Sequence, residues 1–216
     1  MINKTFKTEI KLPEDELKLG ANVFFAETML TLSSLPFDSM SEGVAHSVIA
    51  ICACTGKVIT TGLGKNGYVA EKIASLFSSL GTPSCYLHPA QASHGDVGIV
   101  VSSDILMVFS TSGKTREVIE TINLSRALGI SKVISVTSHL DAPIRDMSDI
   151  VIDIGIIKEA GYLALAPTTS IMTMLLAADA VVVGCAKAKN LTRGDYGLRH
   201  HGGYLGSVAR GDGIIK

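Results

Sequence analysis

Apolar positions recur along this chain in two different rhythms. Between 14 and 33, Leu17, Leu19, Val23, Phe24, Met29, Leu30 and Leu32 follow helical spacing, and Pro36 ends the pattern. A second helical pattern covers 40–54 through Met40, Val44, Val48, Ile49 and Ile51. Beyond it, short apolar runs alternate with amphipathic stretches. Strands are predicted at 57–62, 84–87, 104–110, 132–137 and 149–154, and helices at 66–80, 115–128, 142–147 and 168–188. Gly81-Thr82-Pro83 and Gly129-Ile130-Ser131 mark helix-to-strand turns. This alternation predicts an α/β fold, a doubly wound five-stranded parallel sheet in an α/β/α sandwich with extra N-terminal helices. One domain is expected over 1–216, with helices in 1–55, the α/β core in 56–190 and a less regular tail in 191–216.

The turns carry the chemistry. Ile105-Leu106-Met107-Val108-Phe109 leads into Ser110-Thr111-Ser112-Gly113-Lys114-Thr115, and a helical pattern begins at once. The first amides of a helix lack partners within it, and its dipole favours an anion there. Ser110, Ser112 and Thr115 add hydroxyl donors, so the turn is expected to cradle a phosphate. With strand order 2-1-3-4-5, the turn after strand one, Gly62-Leu63-Gly64-Lys65-Asn66-Gly67, meets this cradle where the sheet order reverses. Gly64 then lets backbone approach a small phosphorylated ligand, and Lys65 sets a charge at the mouth of the site.

Two nucleotide motifs fail on single positions. Gly62-x-Gly64-x-x-Gly67 fits the dinucleotide fingerprint, but no Asp or Glu lies between Glu71 and Asp96 to hold a ribose. Gly113-Lys114-Thr115 resembles the end of a P-loop, but the required first glycine falls on Val108.

Other segments admit both a chemical and a structural reading. In the loop 87–96, His88 before Pro89 shapes a turn, whereas His94-Gly95-Asp96 offers an imidazole whose tautomer Asp96 fixes. After strand five, Glu159 is a solvated charge or a general base. Thr168, Thr169 and Ser170 follow Pro167 and either cap the long helix or bind an anion at its start. His200 and His201 are adjacent, so only one of them faces a site in a helix. A metal set of His88, His94 and His200 is conceivable; the reading assigns no metal and no cofactor.

Bulk properties narrow the class. The chain has 216 residues, 47% of them apolar and 18% charged, with net charge −1 and no Trp. A neutral balance gives no field toward nucleic acid or anionic membrane, so neither is an expected partner. The polar N-terminal stretch 1–18 lacks the apolar core of a signal peptide, and the nearest candidate for a membrane span, 171–185, is short and contains Asp179. Cys52, Cys54, Cys85 and Cys185 read as buried free thiols, which fits a cytoplasmic location.

Taken together, the motifs resemble those of the sugar isomerase (SIS) domain family, and in particular its arabinose-5-phosphate isomerase branch. The resemblance runs from about 56 to 206 and rests on the segments 62–67, 87–96, 110–113, 158–160, 165–170 and 200–206. It implies an isomerase that interconverts D-ribulose 5-phosphate and D-arabinose 5-phosphate through a cis-enediol, with no required cofactor. It also implies a cytoplasmic homotetramer with sites between subunits, the tail contributing to them. The functional positions it carries over are Lys65, His94, Glu117, Glu159 and His200. Glu159 is the expected base, His200 or His94 the expected proton carrier, and Lys65 the expected partner of the enediolate. The phosphate is expected on Ser110, Ser112, Thr115, Thr168, Thr169 and Ser170. Lys114 stands where the branch carries an acid, His201 where it carries a proline, and the CBS modules of longer relatives do not follow within 216 residues. Alternatives are a sugar-phosphate-binding module without turnover and another phosphosugar enzyme, such as a hexulose-phosphate isomerase.

Overall fold

A computed structural model describes residues 12–211; the ends of the 1–216 domain and most of the polar N-terminal stretch lie outside these described residues. Five strands, β1 (Val58–Gly62), β2 (Ser84–Tyr86), β3 (Ile105–Phe109), β4 (Lys132–Thr137) and β5 (Ile150–Asp153), form one parallel sheet in the order β2-β1-β3-β4-β5. The expected order and strand positions agree with it, with ends moved by at most one residue. Helices α1 (Glu14–Ser33), α2 (Phe37–Ala53), α3 (Lys65–Ser79), α4 (Pro89–Ala92) and α5 (Arg116–Ala127) precede or link the strands, and α6 (Thr169–Ala188), α7 (Arg193–Arg199) and α8 (Gly203–Arg210) follow.

The sheet is covered on both faces, as parallel strands require. Every residue of β1 and β3 is buried, and these strands read as unbroken apolar or hydroxyl runs rather than alternating ones. On one face Ile73 and Phe77 of α3 and Met174, Ala178 and Val182 of α6 pack with Ile105, Met107 and Phe109. On the other, Val118 and Ile122 of α5 pack with Leu106, Val108 and Ala92. Helix α6 is long and apolar enough to cross a membrane by length and composition, yet Met174, Ala177, Ala178, Val181 and Val182 are fully buried against the sheet and its neighbours. Its Asp179 pairs with Lys72 of α3.

Four expectations are corrected. The helix expected over 142–147 is a single 3-10 turn, Pro143–Arg145, since the chain must extend into β5 and Asp149 already pairs with Val133 of β4. The second helix starts at Phe37 rather than 40, with Pro36 fixing the backbone just before it. The tail is more regular than expected. Thr192 and Asp195 form a reciprocal capping box that starts α7, and five glycines (Gly194, Gly197, Gly202, Gly203 and Gly206) hide α7 and α8 from propensity reading. The cysteines are not uniformly buried: Cys185 is buried, Cys54 and Cys85 are half-buried and Cys52 is exposed. Burial, and then the neighbouring Cys52, push the Cys185 thiol up to about 12.

At the amino edge of the sheet, Asp104 is fully buried. Its carboxylate accepts from the Lys57 amide at 2.9 Å, the Lys57 ammonium at 2.6 Å and the Val101 amide at 3.0 Å. Burial alone raises its pKa, but the Lys57 and Val101 hydrogen bonds outweigh that and hold the carboxyl below the usual range. A depressed folded-state pKa contributes stability that is present above the unfolded value, about 4, and is lost as pH falls through the folded value. Asp104→Asn is therefore expected to destabilise the protein by about 3 kcal/mol at neutral pH in urea unfolding. The deficit should shrink below about pH 4; an unchanged deficit in acid would contradict this origin.

Candidate functional site

All five strands run the same way, so the loops after β1, β3, β4 and β5 and the starts of α3, α5 and α6 gather at one edge. The turn after β3 is held by its own hydroxyls. Ser110 Oγ is buried and accepts from the Gly113 amide at 3.1 Å, with Thr115 Oγ1 at 3.4 Å. Ser112 Oγ accepts from the Lys114 amide at 3.3 Å. Ser112 spends only a lone pair on the turn, whereas Ser110 and Thr115 share one O–H between them and leave the other to point elsewhere. Thr115 occupies the N-cap of α5, but its side chain makes no capping hydrogen bond, so the first-turn amides face outward unspent.

Gly113 is required for this shape. Its φ is +63°, and a Cβ there would meet Ala142 Cβ at 2.4 Å and Ile144 Cγ1 at 3.0 Å. The turn is thus wedged against the segment after β4. Lys114 reaches the same segment and pairs with Asp141 at 2.7 Å in solvent; the Lys114 hydrogen bond holds the Asp141 carboxyl below its ordinary value.

Glu159 sits at the start of α6. One carboxylate oxygen accepts from the Thr168 amide at 2.9 Å, the Ser170 amide at 3.3 Å and Thr168 Oγ1 at 3.4 Å. It thus fills the anion position at this helix N-terminus. Thr169 Oγ1 accepts from the Ala160 amide at 3.2 Å. Of the three hydroxyls expected to bind phosphate, those of Thr168 and Thr169 are engaged with the β5–α6 loop. Ser170 Oγ is buried with no hydrogen-bond partner among the described residues. The other Glu159 oxygen is not held by these amides.

Gly64 precedes the first residue of α3, Lys65, and both are exposed at this edge, beside α6. Glu117 lies in the first turn of α5, half-buried. His94 is exposed just beyond α4, in a segment packed on α5. Gly95, with φ +114°, turns the chain between His94 and Asp96, and no hydrogen bond joins the two among the described residues.

His200 is elsewhere. Its neighbour Arg199 reaches the turn at Gly81, and Lys189, just past α6, donates to Thr82 Oγ1 at 2.8 Å. Both mark the amino edge of the sheet. Helix α6, of 20 residues, is about 30 Å long and separates this edge from the Ser110 turn. The His200 ring stacks on Tyr196 at 4.4 Å, and its Nδ1 is buried with no partner among the described residues. His88, His94 and His200 therefore do not converge, and among the described residues no group of three or more His, Cys, Asp or Glu is placed to hold a metal.

Sequence reasoning missed Asp141, the partner of Lys114, and Asn66 beside Lys65, whose Oδ1 is buried with no partner among the described residues. An acid in the short loop after strand four, at the same sheet edge as Lys114, was the available signal for the first.

Comparison with known proteins places this geometry among relatives. A family model described as SIS domain matches residues 51–184. Arabinose 5-phosphate isomerase KdsD of Pseudomonas aeruginosa is 35% identical over 185 residues, covering 84% of this chain and 56% of that protein. The KdsD of Yersinia pestis is 38% identical over 167 residues, covering 77% and 51%. The chain thus spans about half the length of these curated relatives. Among solved structures, E. coli CFT073 c3406 in complex with arabinose 5-phosphate superposes with a TM-score of 0.82 at 32% identity, covering 88% of this chain and all of that one.

The cradle makes a direct prediction. Inorganic phosphate should raise the melting temperature of the wild type, and Gly113→Ala should abolish the shift while destabilising the fold by about 1–3 kcal/mol. Equal phosphate shifts in both would place the anion elsewhere.

Proposed function

The chain belongs to the SIS domain family, and we propose that it interconverts D-ribulose 5-phosphate and D-arabinose 5-phosphate. The observation that carries this reading is the match to c3406 in complex with arabinose 5-phosphate, which is 32% identical and covered over its whole length. The relatives named as arabinose 5-phosphate isomerases support it over the shared half of their length.

The phosphate rests on the Ser110, Ser112 and Thr115 hydroxyls and the α5 first-turn amides. Ser170 Oγ, unspent and buried, is a further donor at its rim. Fixing the phosphate places the reacting carbons, which removes much of the entropic barrier. Glu159 takes a proton from C1 of the ketose and, after its carboxyl exchanges with solvent, delivers a proton to C2, while a second proton passes from O1 to O2 of the cis-enediol. Its Thr168 and Ser170 amide contacts hold the carboxylate in one orientation. Lys65 lies against the enediolate oxygens as charge develops on them. Glu117 and His94 border the site from the α5 side.

His200 enters this scheme only from a second copy, because its own chain holds it at the opposite sheet edge. Exposed apolar residues near the site supply surface for such assembly. Leu19, Phe25, Met29 and Leu30 line α1, and Tyr162 and Leu165 project from the β5–α6 loop. The Gly161 amide donates to Glu27 at 2.9 Å and ties the loop to α1. This arrangement supports a homotetramer with shared sites, and four free thiols support a cytoplasmic location.

Glu159→Gln should lower kcat by about 10²–10⁴ while sugar phosphate still raises the melting temperature. A near wild-type rate would remove Glu159 as the base. Equal mixing and reassembly of Glu159→Gln and His200→Asn chains, each inactive alone, should restore activity at about a quarter of the sites. No recovery would contradict sites shared between copies.

A further inference from the structure

Helices α2 and α6 approach more closely than two ordinary side-chain surfaces permit. A Cβ on Gly184 of α6 would stand 2.7 Å from Val48 Cγ2 of α2. On its other side α2 is pressed onto the sheet, since a Cβ on Gly43 would stand 2.6 Å from the Val151 carbonyl oxygen of β5. The two helices run parallel. Phe37, Met40 and Val44 meet Leu176, Ala177 and Ala180 in one shared crevice, and Val48 meets Gly184 further along. One turn beyond Val48, on the same face of α2, is Cys52, and directly after Gly184 comes Cys185.

The two thiols therefore sit side by side at the amino edge of the sheet, at the opposite end of α6 from Glu159. The Cys52 thiol is a hydrogen-bonding neighbour of Cys185, and the Lys189 ammonium beside them favours a thiolate at Cys185. Their access to solvent differs completely: Cys185 is fully buried and Cys52 is exposed. Among the described residues no third His, Cys, Asp or Glu joins them to hold a metal.

The other two cysteines are housed apart. Cys54 donates to the Ser103 carbonyl at 3.1 Å. Cys85 lies in β2, where burial pushes its thiol up. Cysteines that bridge need Cα atoms about 4.4–6.8 Å apart. The contact at Gly184, one residue from Cys185, gives α2 and α6 the close approach that such a bridge requires.

We propose that Cys52 and Cys185 are a dithiol modification site, which a hydroperoxide oxidises to an intrachain disulfide joining α2 to α6. The Cys52 sulfur attacks one peroxide oxygen, the O–O bond breaks, and the other oxygen leaves as water or alcohol with the thiol proton. The Cys185 sulfur then displaces the hydroxyl from the Cys52 sulfenic acid. The S–S bond forms, the S–O bond breaks, and water leaves with the Cys185 proton. Two thiols lose two electrons and two protons, and the hydroperoxide is reduced. Cys52 is the sulfur that meets the oxidant and Cys185 the one that resolves it, as their exposures dictate. The site is independent of the isomerase reading.

The wild-type chain is treated with a small excess of hydrogen peroxide, alkylated, and analysed by intact mass, peptide mapping and melting temperature. Free thiols should fall from four to two, with the Cys52 peptide linked to the Cys185 peptide. The melting temperature should rise by about 5–10 °C, because the bridge closes a long loop, and dithiothreitol should reverse both changes. Cys52→Ser, an exposed substitution, should keep its three thiols and show no rise. The Cys54→Ser, Cys85→Ser double variant should oxidise as the wild type does. Absence of the linked peptide would overturn the proposal, whether the thiols stay reduced, Cys52 proceeds to sulfinic acid, or Cys52 bridges two chains. A linked peptide without a rise in melting temperature would also overturn it, because the bond would then form outside the native packing of α2 on α6.

Discussion

A parallel sheet sends the carboxyl end of every strand to one edge, and the rest of this molecule depends on that constraint. Each strand there hands over to a helix whose first amides have no internal partners. Three helix N-termini, those of α3, α5 and α6, therefore converge on the same rim with their positive ends outward. The reversal of strand order between β1 and β3 opens the crevice between them. An anionic, phosphorylated ligand is the natural occupant of such a rim, whatever chemistry is built around it.

The three N-termini are used differently. At α5 the amides stay open and hydroxyls shape the approach, which suits a phosphate that must come and go. At α6 the position is filled from within by Glu159, so an anion that would otherwise bind there is already part of the chain. That contact gives a loop carboxylate a single place, as a proton-transferring group requires. At α3 Gly64 and Lys65 bring backbone and a mobile ammonium to the same rim.

Much of this was legible in the residues. The five apolar runs announced the strands and their parallel pairing, because helix-spaced segments between them leave crossover connections; the order β2-β1-β3-β4-β5 was only assumed from the doubly wound class. Ser110, Ser112 and Gly113 announced a hydroxyl-lined turn at a helix start, and Gly113 is needed there for a steric reason that sequence alone does not show. What stayed hidden depended on long-range placement. Thr168 and Thr169 are tied into the β5–α6 loop, the first donating to Glu159 and the second accepting from the Ala160 amide, contacts that no local pattern announces. The placement of His200 was hidden as well: the tail folds back on α6 and carries it to the far edge of its own chain. The helices α7 and α8 escaped because their glycines suppress propensity while a side-chain capping box and packing supply the order.

The central claim is that this edge moves a proton between the first two carbons of a pentulose phosphate. Nuclear magnetic resonance of ribulose 5-phosphate incubated with the wild-type protein in deuterated water tests it most directly. The account predicts arabinose 5-phosphate carrying solvent deuterium at C2, formed without added metal or nucleotide. Unchanged ribulose 5-phosphate, in a protein that inorganic phosphate still stabilises, would contradict it.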